Sequence, residues 1–181
     1  MTRPRMFFLI IGTTHTGKTY FIRDLIKLSK QKVLVYDVNR EEKYARLPVI
    51  NVQKLASFHK GKYRVIQRQP DQVIEYIIND YRNGLLILDD VDRYLSVTSV
   101  AWNDLIIGHR HMGLDLIAVF HSLNRTLPIF YENCTDIILF KTQEQPDKSI
   151  NKLPKSDDVL KAFYQVEGNK DPHYKVRIRC R

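Results

Sequence analysis

Apolar residues in this chain fall into short unbroken runs, separated by longer stretches with helical spacing. Met6–Ile11 is wholly apolar and stops at Gly12, which predicts a strand buried on both faces. Gly17–Lys30 then sets Phe21, Leu25, Ile26 and Leu28 on or near one helical face. Val33–Val38 predicts a second strand. Lys62–Gln67 predicts a third, in which Tyr63, Val65 and Gln67 alternate with Arg64, Ile66 and Arg68. Asp71–Tyr81 carries Val73, Ile74, Ile77, Ile78 and Tyr81 at helical spacing, with Asp71 as the expected cap after Pro70 and an end near Asn83-Gly84. Leu85–Leu88 predicts a further buried strand. Val97–His109 predicts a helix with Trp102, Leu105 and Ile106 inward, and Leu114–Phe120 and Asp136–Phe140 predict two more strands.

Strands that alternate with helices, and are apolar on both faces, imply an α/β fold: a mostly parallel central sheet flanked by helices on both faces. Past residue 142 the chain turns polar and carries Pro146, Pro154 and Pro172. It ends in Tyr174-Lys-Val-Arg-Ile-Arg-Cys-Arg181, basic and apolar by turns, which predicts an edge strand with one charged face. The expected division is a core over 1–141 and a basic extension over 142–181 that forms a short C-terminal β appendage.

Composition narrows the class. A length of 181 residues with 44% hydrophobic and 27% charged positions suits one folded domain and excludes a disordered chain. Two cysteines, Cys134 and Cys180, are too few for a disulfide scaffold, and no secretory leader is visible. The first apolar run is too short to span a membrane. Secreted, membrane-spanning and fibrous classes are set aside, and a cytoplasmic location is expected. Lys+Arg total 29 against 20 for Asp+Glu, a net charge of +9, which draws the chain towards polyanions such as nucleic acid or acidic lipid.

The candidate chemistry begins where the first strand ends. Gly12-Thr13-Thr14-His15-Thr16-Gly17-Lys18-Thr19 matches G-x-x-x-x-G-K-[ST] in full, between an apolar strand and an amphipathic helix. Glycines let the backbone wrap so that successive N–H groups point at phosphate oxygens, and the helix N-terminus adds partial positive charge. Lys18 can reach the β- and γ-phosphates, and the Thr19 hydroxyl is placed to ligate Mg2+. Gly12 to Thr19, with Tyr20 beside them, are the candidate nucleotide-binding residues, and Mg2+ and ATP are the implied cofactor and substrate.

Gly84-Leu-Leu-Ile-Leu-Asp89-Asp90 is an apolar strand ending in two carboxylates. In an open α/β sheet ligands sit at the carboxyl ends of the strands, so Asp89 is assigned to the metal and Asp90 to the attacking water. Two strand candidates lie between Lys18 and Asp89, which suits a P-loop NTPase of the additional-strand type, with another strand between the phosphate-loop strand and the acidic one. Gly108-His-Arg-His-Met-Gly113 ends a helix: its basic residues either satisfy the helix C-terminus, or Arg110 reaches the γ-phosphate of a neighbouring subunit. His121 and Ser122, at the tip of the next strand, are polar candidates for sensing the γ-phosphate. Lys175, Arg177, Arg179 and Arg181 share one face of the terminal strand, as DNA-phosphate contacts or as a charged edge that resists aggregation. His59-Lys-Gly-Lys-Tyr-Arg64 is a second basic patch with the same two readings.

The succession Gly-x4-Gly-Lys-Thr, Leu-Ile-Leu-Asp-Asp, Arg110 to Pro128 and Asn133 to Phe140 resembles the HerA/FtsK superfamily. Within it, the chain is similar to the small viral genome-packaging ATPases and their filamentous-phage assembly relatives, over residues 6 to 141. That resemblance implies a ring-forming homo-oligomer, a hexamer or pentamer, that moves double-stranded DNA through a central pore, with an arginine finger at Arg110 and a sensor at His121 or Ser122. It also implies a portal, capsid or membrane partner and a place in the host cytoplasm or virion. The family commonly has Asp-Glu where this chain has Asp89-Asp90, and Gln where it has His121-Ser122. Those departures motivate the alternative, a nucleotide-dependent assembly or switch protein with little turnover.

Overall fold

The computed structural model describes residues 4–95, 99–152 and 155–180. Val97 and Thr98, expected in the third helix, and Arg181 lie outside the described residues. Seven strands form one sheet: β1 Phe7–Ile11, β2 Val33–Tyr36, β3 Lys62–Val65, β4 Leu85–Leu88, β5 Asp115–Phe120, β6 Asp136–Phe140 and β7 Lys175–Arg179. Their order is β3-β2-β4-β5-β1-β6-β7, parallel throughout except for the antiparallel β6–β7 pair. The helices are α1 Lys18–Leu28, α2 Pro70–Asp80, α3 Val100–Gly108, α4 Pro128–Asn133 and α5 Ser156–Glu167.

The unbroken apolar runs are accounted for by a sheet covered on both sides. In β1, Phe7, Leu9 and Ile11 face one core while Ile10 faces the other; in β4, Leu86 and Leu88 oppose Leu85 and Ile87. The larger core takes Ile74 and Ile77 of α2, Trp102 and Leu105 of α3, Phe130 of α4 and Phe163 of α5. The smaller one takes Ile22 and Ile26 of α1 and Tyr44 of a 3-10 turn, Glu42–Tyr44. Burying a side chain of the Leu or Ile class contributes about 1.5–3 kcal/mol, so these two layers supply most of the drive to fold.

A strand does separate β1 from β4, but it is β5, which follows the acidic strand in the chain; β2 and β3 lie beyond β4. Strand order is a long-range choice that local pattern does not encode. Asp71 does not cap α2. The helix starts at Pro70, whose fixed φ and missing N–H suit a first helical position, and the Gln69 carbonyl accepts from Val73 N at 2.9 Å. The Asp71 carboxylate instead accepts from Trp102 Nε1 at 3.1 Å and ties α2 to α3.

The polar stretch past 142 holds an unexpected helix. α5 buries Val159, Ala162, Phe163 and Val166, an i, i+3, i+4, i+7 stripe, against the larger core. The terminal strand has the expected alternation: Val176 and Ile178 face inward while Lys175, Arg177 and Arg179 are exposed. It joins the main sheet as its seventh strand, on β6. Among the described residues, no helix is long and apolar enough to cross a membrane.

Candidate nucleotide site

Parallel strands deliver their carboxyl ends to one edge, and the candidate residues meet there. β1 runs into the phosphate loop, β4 into Asp89 and Asp90, β5 into His121, and β2 into Asp37, Asn39 and Lys43. The loop, Lys43, Asp90 and His121 bound a cleft of about 630 Å3, with Arg23, Glu41, Arg93 and His173 also on its walls.

The loop is shaped by its two glycines. Gly17, directly before α1, has φ 93°, a left-handed value that favours glycine, and a Cβ there would lie 3.1 Å from His173 Nδ1. At Gly12 a Cβ would lie 2.6 Å from Phe140 Cβ, so β1 and β6 can approach only because position 12 lacks a side chain. Thr16 Oγ1 donates to Thr13 O at 2.8 Å and braces the turn. Lys18 Nζ donates to Gly12 O and, at 2.5 Å, to Thr13 O, so its ammonium lies inside the loop. Burial lowers the Lys18 ammonium to about 8, against the pull of Asp90 and Asp89. Thr14, His15 and Tyr20 are exposed, and Thr13 and Thr19 are half-buried.

The two acids lie in different surroundings. Asp89 is almost fully buried, and burial raises its carboxyl to about 6 even with Lys43 Nζ 2.7 Å from Oδ2. Neither Asp89 oxygen has a well-formed hydrogen bond. Asp90 adopts φ 52° and is gripped at both oxygens, by Asn39 Nδ2 at 3.0 Å and His121 Nε2 at 2.6 Å, with Arg93 Nε at 3.9 Å. Burial opposes its ionisation, but the hydrogen bond and charge of His121, with Lys43 and Arg93, hold Asp90 below the usual carboxylate range. An ionised carboxylate only accepts, so His121 Nε2 carries the hydrogen.

Asp37 positions the loop that brings Asn39 and Lys43. It is buried, accepts from Glu41 N at 2.9 Å and pairs with Arg64 at 3.0 Å. Arg64 of the basic patch is therefore committed to the fold, and Lys62 Nζ donates to the last carbonyls of α1, at 2.5 Å to Ile26 O and 3.0 Å to Lys27 O. Basic side chains near a helix C-terminus commonly do this.

The remaining candidates separate. Ser122 donates its hydroxyl to Glu144, turned aside from the acids, so the two sensor candidates have different partners. Arg110 is exposed in the turn before β5, at the amino edge of the sheet and opposite the phosphate loop of its own chain. On β7, Arg177 pairs with Asp136 at 2.7 Å and stacks over Phe8, and Lys175 lies over Phe21 and Phe140; Arg179 is exposed. Lys43, Asn39, Arg93 and His173 carried no motif. Asn39 and Lys43 had one usable signal, their place just past the carboxyl end of a parallel strand.

No family model matches the chain, and no curated protein sequence does. Solved structures do match. The genome packaging NTPase B204 from Sulfolobus turreted icosahedral virus 2, in complex with AMP, superposes with a TM-score of 0.79 at 22% identity, over 99% of this chain and 94% of that one. Its complex with ATP-gammaS gives 0.78 at 21% identity, over the same shares of 99% and 94%. B204, the DNA-packaging ATPase from Sulfolobus Turreted Icosahedral Virus, gives 0.74 at 22% identity, again over 99% and 94%. EssC (ATPases 2 and 3) from Geobacillus thermodenitrificans gives 0.59 at 10% identity, and this chain covers 37% of its length while 97% of this chain is matched. The chain has the P-loop NTPase fold, which it shares over nearly its whole length with the viral genome packaging NTPase B204.

Proposed function

We propose that this chain binds Mg-ATP at Gly12–Thr19, hydrolyses it, and as an oligomeric ring moves double-stranded DNA into a capsid. One observation carries the reading: the phosphate loop with Lys18 and the Asp90–His121 pair line one cleft at the carboxyl edge of a parallel sheet, and Asp89 is paired with Lys43 of the same wall. The likeness to B204, crystallised with AMP and with ATP-gammaS, and the net charge of +9 support it.

Backbone amides of Thr13–Thr19 and the N-terminus of α1 bind the phosphates, and Lys18 turns from the loop carbonyls towards them. The donor set fits Mg2+: a threonine hydroxyl and a buried carboxylate whose oxygens lack well-formed hydrogen bonds. Thr19 and Asp89 would hold the ion, and the chemistry it would supply is neutralisation of charge on the phosphate oxygens. Asp90, kept ionised and oriented by Asn39 and His121, positions the attacking water. Arg110 serves a neighbouring copy, since it lies far from the loop of its own chain. Residues 1–141 form the ATPase core. The 142–181 extension brings His173 to the loop, and its Lys175, Arg177, Arg179 and Arg181 are the DNA-phosphate candidates. A portal or capsid partner and a place in the host cytoplasm or virion complete the proposal.

The test is phosphate release with and without linear duplex DNA at low salt, for wild type, Lys18→Ala, Asp90→Asn and Arg110→Ala. DNA-stimulated turnover that the substitutions abolish, and that mixing Asp90→Asn with Arg110→Ala partly restores, is the expected outcome. Absence of turnover in wild type, with nucleotide binding that changes the oligomeric state, would establish the switch reading instead. That alternative is favoured by the grip of Asn39 and His121 on both Asp90 oxygens.

A further inference from the structure

Cys134 and Cys180 are the two cysteines of the chain, far apart in sequence. The fold brings their Sγ atoms to 3.6 Å. Cys134 directly follows α4 and precedes β6, and Cys180 directly follows β7. The antiparallel ladder pairs Asp136 with Arg179, and Cys180 N donates to Thr135 O at 2.9 Å, so the backbone is held up to the cysteines themselves. Cys134 is fully buried with Tyr131 O 3.3 Å from its sulfur, whereas Cys180 is half-buried. Both lie at the amino end of β6, the edge opposite the phosphate loop, and neither takes part in the nucleotide site.

We propose that Cys134 and Cys180 form an intrachain disulfide that staples the C-terminal strand to the sheet. A disulfide needs a sulfur separation of about 2.05 Å, so from 3.6 Å the two sulfurs have roughly 1.5 Å to close. The oxidant is a low-molecular-weight disulfide. The Cys180 thiolate, the one open to solvent, attacks one of its sulfurs and expels one thiolate, leaving a mixed disulfide on Cys180. The Cys134 thiolate then attacks the Cys180 sulfur, forms the Cys134–Cys180 bond and expels the second thiolate. The protein thiols give up two electrons and two protons, and the small disulfide becomes two thiols.

The bond closes a loop that contains α5, β7 and the turn that sets His173 beside Gly17. β7 is an edge strand whose neighbour in the sheet is β6, so it is one of the two ends from which the sheet can fray. A cross-link across a loop this long restricts the unfolded chain strongly and raises the unfolding temperature.

The test uses the full chain, reduced and then incubated with oxidised glutathione. The expected result is an intact mass lower by two hydrogens, loss of both thiols to a thiol reagent in denaturant, and a cross-linked peptide pair containing Cys134 and Cys180. Thermal unfolding is expected to rise by roughly 5 °C or more over the reduced form, a gain abolished in Cys180→Ser. Cys180→Ser changes only the half-buried position, so it reads the staple without opening the core at Cys134. A stable glutathione adduct on Cys180 with Cys134 still alkylatable, a dimer linked between chains, or a disulfide that leaves the unfolding temperature unchanged would each overturn the proposal.

Discussion

Lys43 Nζ lies 2.7 Å from Asp89 Oδ2, an ion pair between the loop after β2 and the tip of β4. The ammonium supplies the positive charge nearest to a carboxylate that burial otherwise keeps from ionising. Because the folded-state value is raised from 3.8 to about 6, the folded chain retains a proton that the unfolded chain releases. This contribution to stability is complete below the unfolded value of about 4 and is lost as pH rises through about 6. The shift corresponds to about 2–3 kcal/mol. Urea unfolding without magnesium or nucleotide should show Asp89→Asn gaining about that much on wild type between roughly pH 4 and pH 8. Equal pH dependence in the two proteins would exclude this account. Lys43→Met should carry the wild-type loss to higher pH and deepen it, by removing the cation that opposes the shift.

The Lys18 ammonium, lowered to about 8 by burial, predicts the pH profile of nucleotide binding. A triphosphate needs the charged form. Affinity for a non-hydrolysable ATP analogue should be flat below about pH 8 and fall roughly tenfold per unit well above it. Lys18→Arg keeps its charge at every accessible pH, so its profile should be flat even where its affinity is lower. Calorimetry across that range checks both curves.

Asp90 and His121 act as one unit through their 2.6 Å contact. Asp90→Asn should cut phosphate release by about 10²-fold or more while nucleotide affinity changes little, as expected for a group that works on water. His121→Gln retains a donor towards Asp90 and should keep more activity than His121→Ala. If His121→Ala turned over as fast as wild type, the contact would have no part in hydrolysis.

Gly12→Ala forces a methyl to within 2.6 Å of Phe140 Cβ, in a sheet with no room to yield between β1 and β6. Overpacking of this kind costs about 1–3 kcal/mol, and the same shift distorts the loop amides, so stability and nucleotide binding should fall together. Gly108→Ala is the control: its Cβ meets only Met112 Cε at 3.7 Å, at the end of α3, and it should be neutral or stabilising by about 0.5–1 kcal/mol. Thermal melts of the two variants separate these outcomes.

Much of the site is visible in the chain because its causes are local. Gly12, Gly17, Lys18 and Thr19 are near neighbours in the chain, and their spacing alone predicts the loop between β1 and α1. Asp89 and Asp90 follow an apolar run that can only be a buried strand. α5 was readable from Val159, Ala162, Phe163 and Val166 and was hidden by the prolines and charges around it. Tyr164, exposed on the same helix, blurs the stripe further.

By itself the sequence determined the alternation of strands and helices, the two-sided burial of the sheet and the phosphate loop, since periods of two and of 3.6 and the freedom of glycine act between near neighbours. Only the tertiary structure decided that β5 enters between β1 and β4, that Lys43 meets Asp89, that His121 rather than Ser122 reaches Asp90, and that two distant cysteines come to 3.6 Å. Each of these joins segments far apart in the chain, and their separation depends on strand order and register, which are settled by the packing of the whole core.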